Sequence, residues 1–153
     1  MAAAALDLPD LAATEAFGAR VAAALRRGDV VALRGDLGSG KTTLARAVVR
    51  ARAGADIEVP SPTFTLVQIY TLGQLELWHV DLYRLAAPAE ALELGLEDAF
   101  ATAATLIEWP ERLGVHLPTS RLDILLAISG PDSRLASLKA GPGWQGRLGG
   151  LLP

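Results

Sequence analysis

The sequence predicts a single α/β domain built around a phosphate-binding loop, and three observations support this prediction. Residues 35–42 fit the pattern G-x-x-x-x-G-K-[ST]. An apolar stretch at 29–34 and a helical pattern at 42–49 supply the strand before the motif and the helix after it that the motif requires. Residues 105–107 form a continuous apolar run, which is typical of a buried parallel strand. A length of 153 residues suits one domain of this kind.

The region before the motif predicts an amphipathic helix. Apolar and small side chains recur at helical spacing from residue 11 to residue 25, directly after Pro9-Asp10. Arg26 and Arg27 are expected to form a cationic last turn, and Gly28 is expected to end the helix as its C′ residue.

The motif itself predicts an anion site. Its glycines let successive backbone N–H groups point into one concavity, where no Cβ blocks a phosphate oxygen. Lys41 adds a positive charge, and the Thr42 hydroxyl can bind the magnesium ion that bridges the outer phosphates. The following helix directs the positive end of its dipole at the same anion. We predict that a nucleotide is bound by Gly38, Ser39, Gly40, Lys41, Thr42 and Thr43.

The remaining elements are predicted from turn residues and periodicity. Residues 63–70 and 75–80 alternate around Gly73 and predict an antiparallel hairpin. A short helix is expected at 88–94, a turn at 95–100, a strand at 120–129 and a strand at 134–138 that pairs back. The Gly-rich residues 141–153 are predicted to be a flexible tail beyond a domain that spans residues 1–140.

Two acidic residues follow predicted strands. Asp81 closes the strand at 75–80, and Glu108 closes the strand at 105–107. Ligands of open α/β sheets collect at the carboxyl ends of strands, so both acids are expected beside Lys41 and Thr42. We predict that Lys41, Asp81 and Glu108 are catalytic. Thr42, Asp81 and Glu108 are predicted to hold Mg²⁺, directly or through water.

Composition narrows the classes of function. There is no cysteine, which excludes disulfides, thiolate nucleophiles and cysteine–zinc sites, so any metal is expected to bind oxygen. A net charge of −3 gives no overall basic field for nucleic acid. No apolar run reaches the roughly 18 residues of a membrane span, and the first residues do not resemble a secretory signal. A cytoplasmic protein without membrane contact is expected.

The nucleotide is expected to be ATP. Guanine-specific P-loop proteins of the Ras type read the base with an Asn/Thr-Lys-x-Asp loop. This sequence contains no asparagine, and its only other lysine, Lys139, is followed by Ala-Gly-Pro. Elimination therefore favours ATP as the substrate.

Several stretches together resemble the bacterial TsaE family, the ATPase component of tRNA threonylcarbamoyladenosine synthesis. They are Gly-Asp-Leu-Gly-Ser-Gly-Lys-Thr-Thr-Leu at 35–44, Ser-Pro-Thr-Phe-Thr-Leu-Val at 61–67, His-Val-Asp-Leu-Tyr-Arg-Leu at 79–85, Glu-Leu-Gly at 93–95 and Leu-Ile-Glu-Trp-Pro-Glu at 106–111. The resemblance runs through most of the chain. This combination is far more specific than the phosphate-binding loop alone.

The resemblance implies a small P-loop α/β fold with a mixed sheet. It implies that segments containing Ser61, Thr63 and His79 resemble GTPase switches, with Thr63 and Asp81 sensing the γ-phosphate. Arg134 resembles a family arginine near the nucleotide, and the chain around Leu11 is expected to approach the adenine. The implied activity is slow, Mg²⁺-dependent ATP hydrolysis. It would serve the TsaB–TsaD pair, which transfers threonylcarbamoyl to tRNA adenosine, and tRNA would be met only through that complex.

Two alternative functions share the same motif. A small-molecule kinase would need an acceptor pocket and usually an arginine-rich lid, and no such insertion is visible in the sequence. A nucleotide-dependent docking module, in which hydrolysis is incidental, is not separated from the main interpretation by the sequence. His79 is predicted to be structural, because a histidine that alternates in a strand is more often packed or hydrogen-bonded than catalytic. Trp109 has three candidate places, namely the core, the surroundings of the adenine and a protein interface, and the core is the default expectation.

Overall fold

The chain alternates strands and helices, and the computed structural model describes them over residues 2–153. The strands are β1 (Ala2–Leu8), β2 (Val30–Arg34), β3 (Val67–Leu72), β4 (Leu75–Asp81), β5 (Ala104–Glu108), β6 (Leu122–Ile128) and β7 (Arg134–Ala140). The helices are α1 (Leu11–Ala24), α2 (Lys41–Ala53), α3 (Glu90–Glu93) and α4 (Leu96–Thr102). Two 3₁₀ segments lie at Pro110–His116 and Gln145–Leu151.

The strands join one mixed sheet in the order β1-β7-β6-β2-β5-β4-β3. The central strands β6, β2, β5 and β4 are parallel, whereas the pairs β6–β7, β7–β1 and β3–β4 are antiparallel. In β2, Val30 to Leu33 are at most 1% exposed, as expected for a parallel strand covered on both faces. The α/β class, the mixed sheet and the β3–β4 hairpin are confirmed.

Helices α1 and α2 pack together over one face of the sheet. The Asp10 carboxylate caps α1 by accepting a hydrogen bond from the Ala13 backbone N–H at 2.8 Å. Gly18 lies where the helices cross, and a Cβ there would come within 2.6 Å of the Ala47 Cβ. This close approach lets Phe17 and Val21 bury completely against the sheet.

The opposite face carries a smaller apolar cluster around the ends of β4 and β5. Leu82, Leu96, Ile107 and Leu113 are almost completely buried in it. They come from four different segments, so the cluster ties the chain after β4, helix α4 and the first 3₁₀ segment to β5. The carboxyl ends of β4 and β5 are therefore held between two packed layers.

Strand β1 was not predicted from the sequence. Its residues are mostly alanine, which has a low preference for strands. It forms because it pairs antiparallel with β7 from Ala2↔Ala140 to Leu8↔Arg134, and because Leu6 and Leu8 are buried in the core. Tertiary pairing thus overrides the weak local signal.

Three predicted boundaries are corrected. Helix α1 ends at Ala24, so Gly28 is not its C′ residue; instead the Gly28 N–H donates to the Ala103 carbonyl at 2.8 Å before β2 begins. Strand β3 begins at Val67, because residues 63–66 form a turn in which Leu66 has a positive φ of 68°. Residues 95–100, expected as a turn, fall largely within helix α4.

The expectation of a flexible tail at residues 141–153 is also corrected, because this segment packs on the domain. Trp144 is 1% exposed and Leu151 is completely buried in the main core. Arg147 donates to both carboxylate oxygens of Asp29, at 2.7 and 2.8 Å, and its guanidinium lies 3.8 Å from the Trp144 ring centroid. A buried bidentate ion pair and an aromatic anchor order the Gly-rich segment.

None of the helices within residues 2–153 has both the length and the apolar character that crossing a bilayer requires.

Candidate active site

The phosphate-binding loop and the two predicted acids meet at one edge of the sheet. Strands β2, β5 and β4 are parallel neighbours, so their carboxyl ends lie side by side. Leu33 pairs with Glu108, and Glu108 pairs with Asp81. The sheet register therefore brings together three segments that are far apart in sequence.

The loop between β2 and α2 has the backbone shape of an anion cradle. Gly35, Gly38 and Gly40 have φ values of 142°, 80° and 104°, which strain residues that carry a Cβ. A Cβ on Gly35 would lie only 2.5 Å from the Leu126 carbonyl oxygen. The Ser39 hydroxyl is buried without a hydrogen-bond partner among the described residues, which leaves a donor available inside the loop.

Lys41, the first residue of α2, is folded back onto the loop. Its side chain is largely buried, and Nζ donates to the carbonyl oxygens of Gly35 and Asp36 at 2.6 and 3.0 Å. Nζ also lies 4.0 Å from the centroid of the Trp109 ring. An ammonium has three donors, so one remains for an anion. Burial lowers the pKa of Lys41, and the nearby carboxylates, above all Glu108, oppose this shift.

Glu108 is a buried carboxylate with two hydrogen-bond partners. It is 2% exposed. Oε1 accepts a hydrogen bond from the Thr42 hydroxyl at 2.7 Å, and Oε2 lies 2.6 Å from His79 Nε2. The contact with Thr42 links the acid directly to the start of α2.

Asp81 connects the site to the predicted switch segment. Its Oδ2 accepts a hydrogen bond from the Thr63 hydroxyl at 3.2 Å, and the Thr63 and Ser61 hydroxyl oxygens are 2.7 Å apart. Its Oδ1 accepts from the Tyr83 backbone N–H at 3.0 Å. A change at Asp81 can therefore be transmitted to the Ser61–Thr63 segment.

The oxygen ligands at this edge fit a magnesium ion. A hydroxyl carries one donor and two acceptor lone pairs, so Thr42 can donate to Glu108 and still offer oxygen to a metal. Asp81 and Glu108 add carboxylate oxygens, which magnesium prefers. Within residues 2–153 no group of three or more His, Asp or Glu side chains is placed to hold a metal.

A cavity of about 360 Å³ opens over these residues. The predicted residues among its lining are Gly38, Gly40, Lys41, Thr42, Thr43, Thr63, Asp81, Glu108 and Arg134. Ser61 and His79 do not line it; they reach the site through Thr63 and Glu108 respectively.

A second cavity of about 200 Å³ adjoins the first and shares Gly40, Thr43 and Arg134 with it. Leu11 and Ser39 are part of its lining. Arg134 lies between the cavities and donates from Nε to the Ser39 carbonyl at 2.9 Å. A larger groove of about 530 Å³ lies between α1 and α2, but Lys41 and both acids are absent from its lining. The first cavity is therefore the one that brings Lys41 and both acids together, and the second extends from it past Gly40 and Arg134.

Trp109 packs against the smaller apolar cluster, as the default expectation had it, but it is also part of the cavity wall. It is half-buried, lines the cavity, and packs against Tyr83 with ring centroids 5.0 Å apart. Its φ of 58° is in the left-handed region, which is unusual for a residue that precedes proline. Such backbone strain often marks functional sites. Its position directly between Glu108 and Pro110 was the one sequence signal that pointed to the site.

Comparisons with known proteins agree with this arrangement. The family model described as threonylcarbamoyl adenosine biosynthesis protein TsaE matches residues 8–135. A tRNA threonylcarbamoyladenosine biosynthesis protein TsaE from Rickettsia bellii (strain RML369-C) is 40% identical over 125 residues, which are 82% of this chain and 87% of that protein. A Bacillus subtilis (strain 168) protein of the same name is 38% identical over 122 residues, which are 79% of this chain and 75% of that protein.

The crystal structure of YdiB from Bacillus subtilis is similar to the whole domain. It has a TM-score of 0.83 and 30% sequence identity, with 98% of this chain and 94% of that chain covered. The matched family region contains the phosphate-binding loop, the Ser61–Thr63 segment, Asp81 and Glu108. The chain belongs to the TsaE family of threonylcarbamoyl adenosine biosynthesis proteins.

Proposed function

We propose that this protein is a magnesium-dependent ATPase of the cytoplasm that is required for threonylcarbamoyl modification of tRNA adenosine. It would act on the TsaB–TsaD complex and leave the transfer itself to that complex. The observation that supports this most directly is the meeting of Lys41, Thr42, Asp81 and Glu108 around one cavity.

Each of these residues has a separate task in the proposal. The free donor of Lys41 and the unpaired Ser39 hydroxyl bind phosphate oxygens. Thr42, Glu108 and Asp81 would provide the oxygens that hold magnesium, and the ion, when bound, would supply positive charge beside the phosphates. The carboxylates, which are nearly buried, also orient a water molecule toward the γ-phosphate, and electrostatic interactions of buried groups are stronger than those in bulk water.

The adenosine is assigned to the second cavity, next to Leu11 and Arg134. Leu11 is 59% exposed and offers an apolar surface for a base. We propose ATP over GTP because the sequence lacks the Asn/Thr-Lys-x-Asp loop that reads guanine.

The surface beside the γ-phosphate side of the cavity supports docking of a protein partner. Phe64 is 83% exposed and stacks with Arg84, whose guanidinium carbon lies 4.6 Å from the ring centroid. Leu37 at the cavity rim is 74% exposed. Phe64 follows Thr63, which is bonded to Asp81, so nucleotide binding can change the presentation of this surface. Large exposed apolar side chains of this kind are typical of interfaces.

The same surface favours one alternative. In a nucleotide-dependent docking module, ATP binding alone would order the Phe64 segment for a partner, and hydrolysis would be incidental. The two functions differ in whether assembly and release require cleavage of ATP.

Phosphate release from ATP tests the proposal. We expect slow release by the isolated protein, loss of release when EDTA removes magnesium, and a different rate when TsaB–TsaD is added. A competition titration should show weaker binding of GTP than of ATP. Binding without any magnesium-dependent release, alone or with the complex, would favour the docking module. Phosphate transferred to a small acceptor would identify a kinase.

A further inference from the structure

His79 is a buried polar residue for which the sequence offered no chemical role. It lies on β4, two residues before Asp81, and therefore faces the same side of the strand. The residue is 0% exposed. Its Nε2 lies 2.6 Å from Glu108 Oε2, whereas its Nδ1 has no hydrogen-bond partner within residues 2–153.

The partner of Nε2 determines the direction of this hydrogen bond. An ionised carboxylate can only accept, so the imidazole ring must donate from Nε2. A buried nitrogen without a partner costs free energy, and an apolar side chain of similar volume would avoid that cost. Within the described part of the chain, residues 2–153, the His79 side chain has its one polar contact with Glu108. A role in packing alone does not explain why a polar ring occupies this position.

Glu108 is held by one donor on each oxygen. Thr42 donates from the start of α2, and His79 donates from β4. The last torsion of a glutamate side chain is broad, so one hydrogen bond leaves the plane of the carboxylate free to rotate. Two donors on different elements fix that plane. Each oxygen then keeps one free lone pair, and its direction is set by the two contacts.

We infer that His79 is a positioning residue, which orients the Glu108 carboxylate in the active site through the Nε2–Oε2 hydrogen bond. It does not contact the nucleotide; it acts through Glu108. This inference rests on the proposed function, because the orientation of Glu108 matters for turnover only if Glu108 serves the metal or the attacking water. Residues that orient catalytic or metal-binding groups in this way typically contribute about 10- to 100-fold in activity or metal affinity.

Three substitutions at position 79 test the inference. The side-chain nitrogen of glutamine extends about as far as Nε2 of histidine, whereas that of asparagine reaches only as far as Nδ1. His79→Gln should therefore keep the donor to Glu108, and His79→Asn and His79→Leu should lose it. We expect single-turnover ATP hydrolysis about 10- to 100-fold slower for the Asn and Leu variants, and within about threefold of the parent for the Gln variant. ATP affinity should change by less than about threefold in all three.

Two controls separate positioning from general damage to the core. Thr105→Val removes a fully buried polar group from β5, far from the carboxyl ends of the strands, and should leave hydrolysis unchanged. Thermal unfolding of each variant shows whether it is folded. If His79→Leu does not fold, the comparison of His79→Gln with His79→Asn still decides, since both are polar and similar in size.

A measurement on the nucleotide-free protein provides a readout other than activity. In ¹⁵N NMR spectra of the imidazole ring, the His79 proton should be on Nε2, and Glu108→Gln should shift that signal. A proton on Nδ1 in the parent protein would overturn the inference.

Glu108→Gln, measured in parallel, tests the proposed role of Glu108 separately from the inference about His79. If it retains the parent rate, the proposed role of Glu108 fails, and the role of His79 fails with it. If it is slow while folded His79→Leu or His79→Asn hydrolyses ATP at the parent rate, only the inference about His79 is wrong. Equal loss in the Gln and Asn variants would also overturn it. Adding His79→Leu to Glu108→Gln should slow hydrolysis by less than a further factor of about three, since both act on one group.

Discussion

Two buried carboxylates near opposite ends of the parallel strands are stabilised in different ways. Asp29, just before β2, accepts hydrogen bonds from Nη1 and Nη2 of the Arg147 guanidinium and from the Arg26 backbone N–H. Glu108, at the carboxyl end of β5, has hydrogen bonds within residues 2–153 from the Thr42 hydroxyl and the His79 ring. In that part of the chain the first acid has a guanidinium partner, whereas the second has no Lys or Arg salt-bridge partner.

The cations at the two ends show the same contrast. Arg147 lies over the completely buried Trp144, and its donors are used within the fold. Lys41 lies over the half-buried Trp109, whose backbone is in the left-handed region, and it keeps one donor unused. At the Asp29 end of the sheet, the charged side chains therefore pair with each other. At the Glu108 end, they keep donors and acceptors for a ligand. We expect substitutions at the first end to cost stability and at the second end to cost turnover.

The largest effect is expected for Lys41→Ala. ATP binding and turnover should nearly disappear, because the substitution removes the cation that contacts phosphate oxygens. The fold should persist, since the Lys41 side chain bonds to loop carbonyls rather than filling the core. Titration calorimetry with ATP and thermal unfolding measure the two properties. Lys139→Ala, at the exposed second lysine on β7, is the matched control. Normal turnover by folded Lys41→Ala would refute the site.

Glu108→Gln should have the next largest effect. ATP should still bind, and hydrolysis should fall by roughly two or more orders of magnitude, which is typical for the loss of one electrostatic group at a reaction centre. If hydrolysis resets a complex, this variant should also trap the assembly of the ATP-bound protein with TsaB–TsaD. Paired affinity and single-turnover measurements check this expectation. Glu111→Gln, at an acid that is half-exposed, serves as control and should change little. Retained hydrolysis in Glu108→Gln would move the catalytic assignment to Asp81.

At the opposite end, Arg147→Met should destabilise the protein by about 3 kcal/mol, because it leaves the Asp29 carboxylate buried without its cation. Hydrolysis by the folded variant should equal that of the parent. Urea unfolding gives the free energy, and phosphate release gives the activity. The exposed Arg27, substituted in the same way, should change neither quantity. If Arg147→Met lost turnover and kept its stability, the proposed assignment of stability to the Asp29 end and turnover to the Glu108 end would be wrong.

The smallest expected effect concerns the cap of α1, close to the second cavity. Asp10→Ala removes the hydrogen bond to the Ala13 N–H and should lower the unfolding free energy by about 1 kcal/mol. ATP affinity should stay within about threefold if this cap serves stability alone. Urea unfolding and ATP titration of the same preparation measure the unfolding free energy and the ATP affinity. A loss of binding free energy larger than the loss of unfolding free energy would show that residues near Leu11 serve both stability and nucleotide binding.

The parts of the site that were predicted from the sequence depend on local signals. Glycine spacing located the loop, and polar residues after apolar runs located Asp81 and Glu108. The His79–Glu108 contact joins residues 29 positions apart through the register of β4 and β5. No local pattern specifies that register, so the prediction placed His79 in a strand without finding its partner.

Long-range contacts also account for the two segments that were predicted wrongly, β1 and residues 141–153. Alanine in β1 and glycine after residue 140 carry little information about local structure. Their order arises from long-range contacts, namely the pairing of β1 with β7 and the bond between Arg147 and Asp29, which lie 118 positions apart. Tertiary contacts therefore determine the structure of both segments.

The pairing of β1 with β7 also constrains how the protein is made. Ala2 lies in a ladder that pairs it with Ala140, so this edge of the sheet cannot form during synthesis until residue 140 has left the ribosome. Contacts between such distant positions are slow to form. A strand made largely of alanine has little tendency to pair with other strands while it waits. The low strand preference of β1 is therefore expected to limit mispairing of the nascent chain, and this edge is expected to close last.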